Sequence, residues 1–135
     1  MLLTLSDYHK RLSLGLENLH RLCAEPLPDR DSITSARVAL NHISLERSRF
    51  INLVVIPRML LGAGYNATRD ILILQRSFVQ NRTRSEQHIA RWTDETIAGD
   101  WPGYQRDFQL IDDMMKAQMH DERRLVERYL KHVRI

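Results

Sequence analysis

Between Leu2 and about Ala24 the apolar residues fall at Leu2, Leu5, Leu12, Leu16, Leu19 and Cys23, the three-and-four alternation of one helix face. Pro26 and Pro28 end that run, and the side chains from Asp29 to Ser32 can cap a second helix. Its apolar positions run from about Ile33 through Val38, Leu45, Leu53, Ile56 and Leu60, and Gly62 and Gly64 close it. Pro57 lies inside this run. It lacks an N–H and crowds the carbonyl four residues back, so it predicts a kink or the start of a last turn. Asn66 or Thr68 can cap a third helix, seamed by Ile71, Leu74, Phe78 and Trp92 and stopping near Gly99. After the short link Asp100-Trp101-Pro102-Gly103, a fourth carries Phe108, Ile111, Met115, Met119, Leu125, Tyr129 and Val133. Four helices of about 20 to 30 residues with loops of about four to eight predict an all-α, antiparallel up-down-up-down four-helix bundle, one domain over residues 1–135.

Composition agrees with that pattern and narrows the function. In 135 residues, 43% are hydrophobic and 27% charged, which excludes disordered and low-complexity classes. Five Gly and four Pro are too few to punctuate an all-β chain. A net charge of +3 is mild, and the arginines that dominate it are spread along the chain, so nucleic acid is an unlikely partner. One cysteine, Cys23, makes no internal disulfide and points to a reducing cytoplasm. The apolar start Met1-Leu2-Leu3-Thr4-Leu5 meets Asp7, His9, Lys10 and Arg11 too soon to supply a signal-peptide core, and no stretch predicts a membrane span. There is no Gly-rich phosphate loop, Gly-x-Ser-x-Gly elbow or His-Glu-x-x-His motif, so no enzyme is expected.

Polar residues interrupt the apolar stripes. His9 falls between Leu5 and Leu12; stepping 39, 42, 46, 49/50, 53 puts His42 and Glu46 on the second seam; stepping 78, 81, 85, 88, 92 puts Asn81, Ser85 and His88 on the third. The fourth seam, 111, 115, 118, 122, 125, 129, carries Gln118 and Glu122. At a rise of about 1.5 Å per residue these groups sit roughly 15 to 28 Å from one end, a mid-bundle layer. Burying ionisable groups unpaired costs several kcal/mol, so a shared cation is one way to satisfy them, and a hydrogen-bonded network with buried water is another. His-x-x-x-Glu stacks an imidazole and a carboxylate on one helix face, a donor mix that suits non-haem iron, manganese or zinc.

The string His42-Ile43-Ser44-Leu45-Glu46, followed by an apolar run and Pro57, resembles the second-helix signature of the hemerythrin-like family, the HHE cation-binding domains. Gln118-Met119-His120-Asp121-Glu122 is similar to its fourth-helix string, with Gln118 where histidine is expected. His9 stands at the family's first-helix histidine and His88 at one third-helix ligand, with no His-x-x-x-His around it. The resemblance implies a four-helix bundle with one or two non-haem iron ions in an incomplete di-iron site, held by His9, His42, Glu46, His88, Glu122 and Gln118. It further implies binding or sensing of a small diatomic ligand (oxygen or nitric oxide) or an oxidant. The alternative is a metal-free helical adaptor or regulatory protein that keeps the fold and acts through a protein partner.

Overall fold

The computed structural model describes residues 3–130, and among these residues the chain is helical with no strand. Its elements are α1 (Leu5–Cys23), α2 (Arg30–Phe50), a π-helical turn (Ile51–Val55), α3 (Ile56–Leu60), α4 (Tyr65–Arg91), α5 (Asp94–Gly99) and α6 (Trp101–Tyr129). Leu2, His132 and Val133 lie outside the described residues.

Local chemistry sets most of the boundaries. Thr4 and Asp7 form a reciprocal capping box that satisfies free N–H groups at the start of α1. The Asp29 carboxylate accepts from the Ser32 amide at 3.2 Å and starts α2. Pro57 opens α3, as its missing N–H predicts, and the strain is absorbed just before it. The Ile56 amide bonds the Ile51 carbonyl, five residues back, and widens the helix by one residue. Gly62, at φ 69°, makes the left-handed turn that ends the segment.

The third stretch divides where one continuous helix was expected. It starts at Gly64, ahead of Asn66 and Thr68, and ends at Trp92, whose extended backbone breaks the ladder. Thr93 and Thr96 then cap the short α5, and Asp100 caps α6 by accepting from the Gly103 amide at 3.0 Å. Trp92 leaves the helix because its side chain is needed inside, where it is 3% exposed and donates to Asp107.

Among the long elements α1 and α2 pack most closely, and α4 packs along α6. Gly15 permits the first approach: a Cβ there would stand 3.1 Å from Leu40 Cδ1. The α1 and α6 helices also touch, while α2 and α4 scarcely meet. Two apolar clusters result. One gathers Leu12, Leu16, Leu19, Ile33, Leu40 and Ile43 with Trp92, Trp101, Tyr104, Phe108 and Met115. The other gathers Leu5, Ile51, Val55, Met59, Ile71, Leu74 and Phe78. At about 1.5–3 kcal/mol for each large apolar side chain buried, these clusters supply the main driving force for folding.

The buried face of α2 corrects the sequence-based expectation. Ile33, Ala36, Leu40, Ile43 and Arg47 are buried, whereas Val38 (66%), Leu45 (41%) and Leu53 (74%) are exposed. The true seam is rotated by about one residue, roughly 100°.

Candidate functional site

A polar layer separates the two apolar clusters, at the level where the sequence places its interruptions. On α6, Glu122 follows Gln118 by one turn, and both are buried, at 2% and 3% exposure. The His9 imidazole, on α1, donates from Nε2 to Glu122 Oε1 at 2.7 Å. Arg47, on α2 and 5% exposed, brings Nη1 to 3.3 Å from Glu122 Oε2. Its Cζ lies 5.5 Å from the centre of the Phe78 ring on α4. Asn81, also on α4, donates through Nδ2 to Gln118 Oε1 at 2.5 Å. All four long helices therefore contribute to one layer.

The side chains that face Glu122 in this layer are the His9 imidazole and the Arg47 guanidinium. Glu122 is a buried carboxyl side chain, and its basic neighbour is the Arg47 guanidinium. Burial pulls the Arg47 pKa down and Glu122 holds it up; arginine's ordinary value is so high that the group stays a cation. Separate charges in a dry interior cost several kcal/mol each, so this pairing lets both stay there. It is not saturated. Arg47 Nε and Nη1, Glu122 Oε2 and Gln118 Nε2 are buried without a hydrogen bond.

Of the six side chains expected to hold a cation, His9 and Glu122 meet, and Gln118 stands in the same layer facing Asn81. The other three are elsewhere. The His42 side chain is 76% exposed and joins Glu46, 35% exposed, in an i,i+4 pair at 2.8 Å on the outside of α2. The phase of α2 turns both outward, and Arg47, the next residue, turns in. His88 belongs to a different cluster toward the Trp101 end. Its Nδ1 lies 2.8 Å from Asp107 Oδ2, the oxygen that also accepts from Trp92 Nε1 at 2.7 Å. Among the described residues no three His, Cys, Asp or Glu side chains are grouped to hold a metal ion. The donor set as arranged, one imidazole and one carboxylate beside a guanidinium, does not fit non-haem iron.

The His88 cluster has its own electrostatics. Burial lowers the His88 pKa, opposed by the hydrogen bond and charge of Asp107 and reinforced by Arg37 and Arg91. Burial works to raise Asp107, but the His88 and Trp92 hydrogen bonds outweigh it and leave the carboxyl below its ordinary value. Beside them Tyr104, fully buried, stacks on Trp101 at 5.9 Å and meets Trp92 edge-on at 5.6 Å. Its hydroxyl has no partner, and burial raises its pKa.

The loose contact between α2 and α4 leaves a cleft over α6. A cavity of about 70 Å³ lies against the polar layer, lined by Arg47, Gln118, Asn81, Ser44, Ser48 and Phe78 among others. A second of about 50 Å³ continues from it toward Tyr104 and is walled by Leu40, Phe108, Ile111 and Met115. Sequence reasoning missed Arg47, Asp107 and the buried Asp112, whose Oδ2 accepts from Lys116 Nζ at 2.9 Å. The signal for Arg47 was its spacing, four residues after Ile43 and four before Ile51.

Compared with models of protein families, with curated proteins and with solved structures, the chain matches none. None of the helices described is long and apolar enough to cross a membrane.

Proposed function

We propose that this chain is a metal-independent regulatory adaptor built as an antiparallel up-down-up-down four-helix bundle, which works through a protein partner and catalyses no reaction. On this proposal it keeps the helix order of the hemerythrin-like family and replaces the central cation by an arginine side chain. The observation that carries it is the 3.3 Å approach of Arg47 to the buried Glu122, beside the His9 contact at 2.7 Å. The guanidinium places an opposite charge beside the carboxylate, and with the His9 hydrogen bond it ties α1, α2 and α6 together at one level. A metal ion at that point would have to displace it and would find His42 facing solvent.

The bundle arrangement is supported by the α1–α2 and α4–α6 pairs, the α1–α6 contact between them and the short α3–α4 turn. The adaptor role is supported by large apolar side chains left exposed at heptad spacing, Val38 (66%) and Leu45 (41%) on α2, Leu72 (58%) and Val79 (68%) on α4. Residues seven apart share a helix face, and apolar ridges of this kind suit a helical partner.

Anaerobic loading with ferrous iron, desalting and elemental analysis test the proposal. The expected result is less than about 0.2 iron per chain and an unchanged melting temperature, since a ligand that does not bind the native state does not stabilise it. One or two tightly held irons per chain, with a raised melting temperature and loss of binding in His9→Ala, overturn it in favour of an iron-based sensor.

A further inference from the structure

The turn that joins α3 to α4 departs from the usual chemistry of an exposed connection. Turns draw on Gly, Pro, Asn, Asp and Ser, yet in Leu60-Leu61-Gly62-Ala63-Gly64-Tyr65 the tyrosine hydroxyl is the one polar side-chain group. Leu61 and Tyr65 are each 81% exposed, and Leu60 is 46% exposed. The left-handed Gly62 turns the chain at the apex. A Cβ on Gly62 or Gly64 would meet no atom within 4 Å, so the apex stands clear of the bundle. Single exposed leucines need no explanation. Three large apolar side chains within six residues, around an apex of this kind, form a patch.

The charge around the patch has one sign. From Arg47 to Arg69 the sequence holds four arginines and no acidic residue, and the ten residues from Met59 to Thr68 are uncharged. Arg58 lies about one turn before Leu61 and Arg69 one turn after Tyr65. Both are exposed, and neither makes an ion pair among the described residues. Leu5, Met59 and Leu130 belong to one apolar cluster, so the start of α1 and the end of α6 reach the same end of the molecule. Of the carboxylates there, Asp7 caps α1, and Asp70 accepts from the Tyr129 hydroxyl and lies 3.6 Å from Arg128. Glu127 is outnumbered by Arg123, Arg124 and Arg128 beside it in the chain. The opposite end is acidic. Residues 25–31 and 94–100 hold six exposed acidic side chains and one arginine, and the Thr34–Asp94 hydrogen bond at 3.0 Å brings these segments together.

We infer that the α3–α4 turn seats the protein on an anionic lipid surface, with Leu60, Leu61 and Tyr65 at the boundary of headgroups and acyl chains and Arg58 and Arg69 on the headgroup charges. Reversible attachment to a bilayer draws on apolar area and basic charge together, and this turn offers both within twelve residues. Ten uncharged residues are too few to cross a bilayer and suit an interfacial segment. A tyrosine ring with its polar hydroxyl fits that boundary, and arginine stems reach back to the headgroups from beside inserted leucines. The acidic far end is repelled by the same surface, which orients the bundle tip-first. A second copy placed tip to tip would set these arginines against their own kind, and an acidic polypeptide would answer the arginines but not the apolar apex. The inference is independent of the adaptor reading, whose ridges on α2 and α4 lie further along the bundle.

The test is co-sedimentation of the whole protein with vesicles of phosphatidylcholine containing about 30% phosphatidylserine, beside vesicles of phosphatidylcholine alone. Expected are saturable binding to the anionic vesicles, at least about tenfold weaker binding to the neutral ones, and loss of most of it between about 50 and about 500 mM salt. Leu61→Asp should weaken binding by at least about tenfold, and Arg58→Gln combined with Arg69→Gln by about tenfold. These side chains are exposed, so circular dichroism should be unchanged. Leu110→Asp, at an exposed leucine in the other half of α6, should bind as the parent does. Tyr65→Trp adds a depth probe: its emission should shift to the blue and be quenched by brominated acyl chains, while Trp92 and Trp101, buried in the other apolar cluster, stay constant. The inference fails if anionic vesicles bind no more tightly than neutral ones, or if Leu61→Asp binds as well as the parent. Polyglutamate bound as tightly as the vesicles, by the parent and by Leu61→Asp alike, would assign the arginines to an acidic polypeptide. A dimer in solution that Leu61→Asp dissolves would assign the patch to a second copy. Either result overturns the inference.

Discussion

Removing the guanidinium from the polar layer should cost more than any surface change. In Arg47→Met the apolar packing on Phe78 is largely kept, but Glu122, 2% exposed, is left with His9 as its one hydrogen-bond donor. Breaking a buried ion pair from one side costs about 3–5 kcal/mol, because the remaining charge is uncompensated. The contact here is 3.3 Å and poorly aligned, and the adjoining cavity admits water, so the lower end applies. We expect a loss of about 3 kcal/mol, or roughly 12 °C in melting temperature for a chain of this size. Adding Glu122→Gln removes the stranded charge and leaves a carbonyl oxygen for the His9 donor. The double variant should recover most of the loss and lie within about 1 kcal/mol of the parent. Urea unfolding measures both, with an unchanged m-value as the check that the unfolded ensembles are comparable. If Arg47→Met falls within about 0.5 kcal/mol of the parent, or if the double variant is less stable than the single, the two charges are not coupled and the reasoning is wrong.

Three further outcomes follow from the geometry. His88 has a pKa lowered by burial, so its neutral form is favoured when folded. Its contribution is present above the unfolded value near 6.5 and is lost as pH falls through the lower folded value. Melting temperature should therefore drop between about pH 6.5 and pH 5, and His88→Gln should flatten that part of the profile; a profile no flatter than the parent's refutes this. Gly103→Ala places a Cβ 2.1 Å from Asp100 Oδ2, which breaks the cap of α6 and should cost about 1 kcal/mol in a urea melt, whereas an unchanged midpoint would deny the cap its role. His42→Ala removes an imidazole that is 76% exposed and should shift stability by no more than about 0.5 kcal/mol, with metal content unaltered; a larger loss would mean His42 has a buried role.

Three of the four apolar seams were legible in the sequence. Leu5, His9, Leu12, Leu16 and Leu19 on α1, Ile71, Leu74 and Phe78 on α4, and Ile111, Met115, Gln118 and Glu122 on α6 are buried as their spacing predicts. The second was misread because Val38, Leu45 and Leu53 form an apolar set on the outer face, and the inner set includes a small residue, Ala36, and a charged one. Periodicity weighs side chains by polarity, so an inward arginine pulls the phase toward the wrong face. That one-residue error placed His42 and Glu46 inside and concealed Arg47. The break at Trp92 was missed for a related reason. A tryptophan at helical spacing reads as part of the seam, and the partner that draws it out, Asp107, lies on α6, 15 residues further on. The burial of His9, Gln118 and Glu122 was legible from their spacing; the inward arginine beside them was not.

The most direct test of the central claim is a crystal structure from protein grown in excess ferrous iron, with anomalous data collected at the iron edge. The account predicts the Arg47 guanidinium beside Glu122 and no anomalous peak in the layer. A peak between His9 and Glu122, with Arg47 displaced from it, would contradict the account.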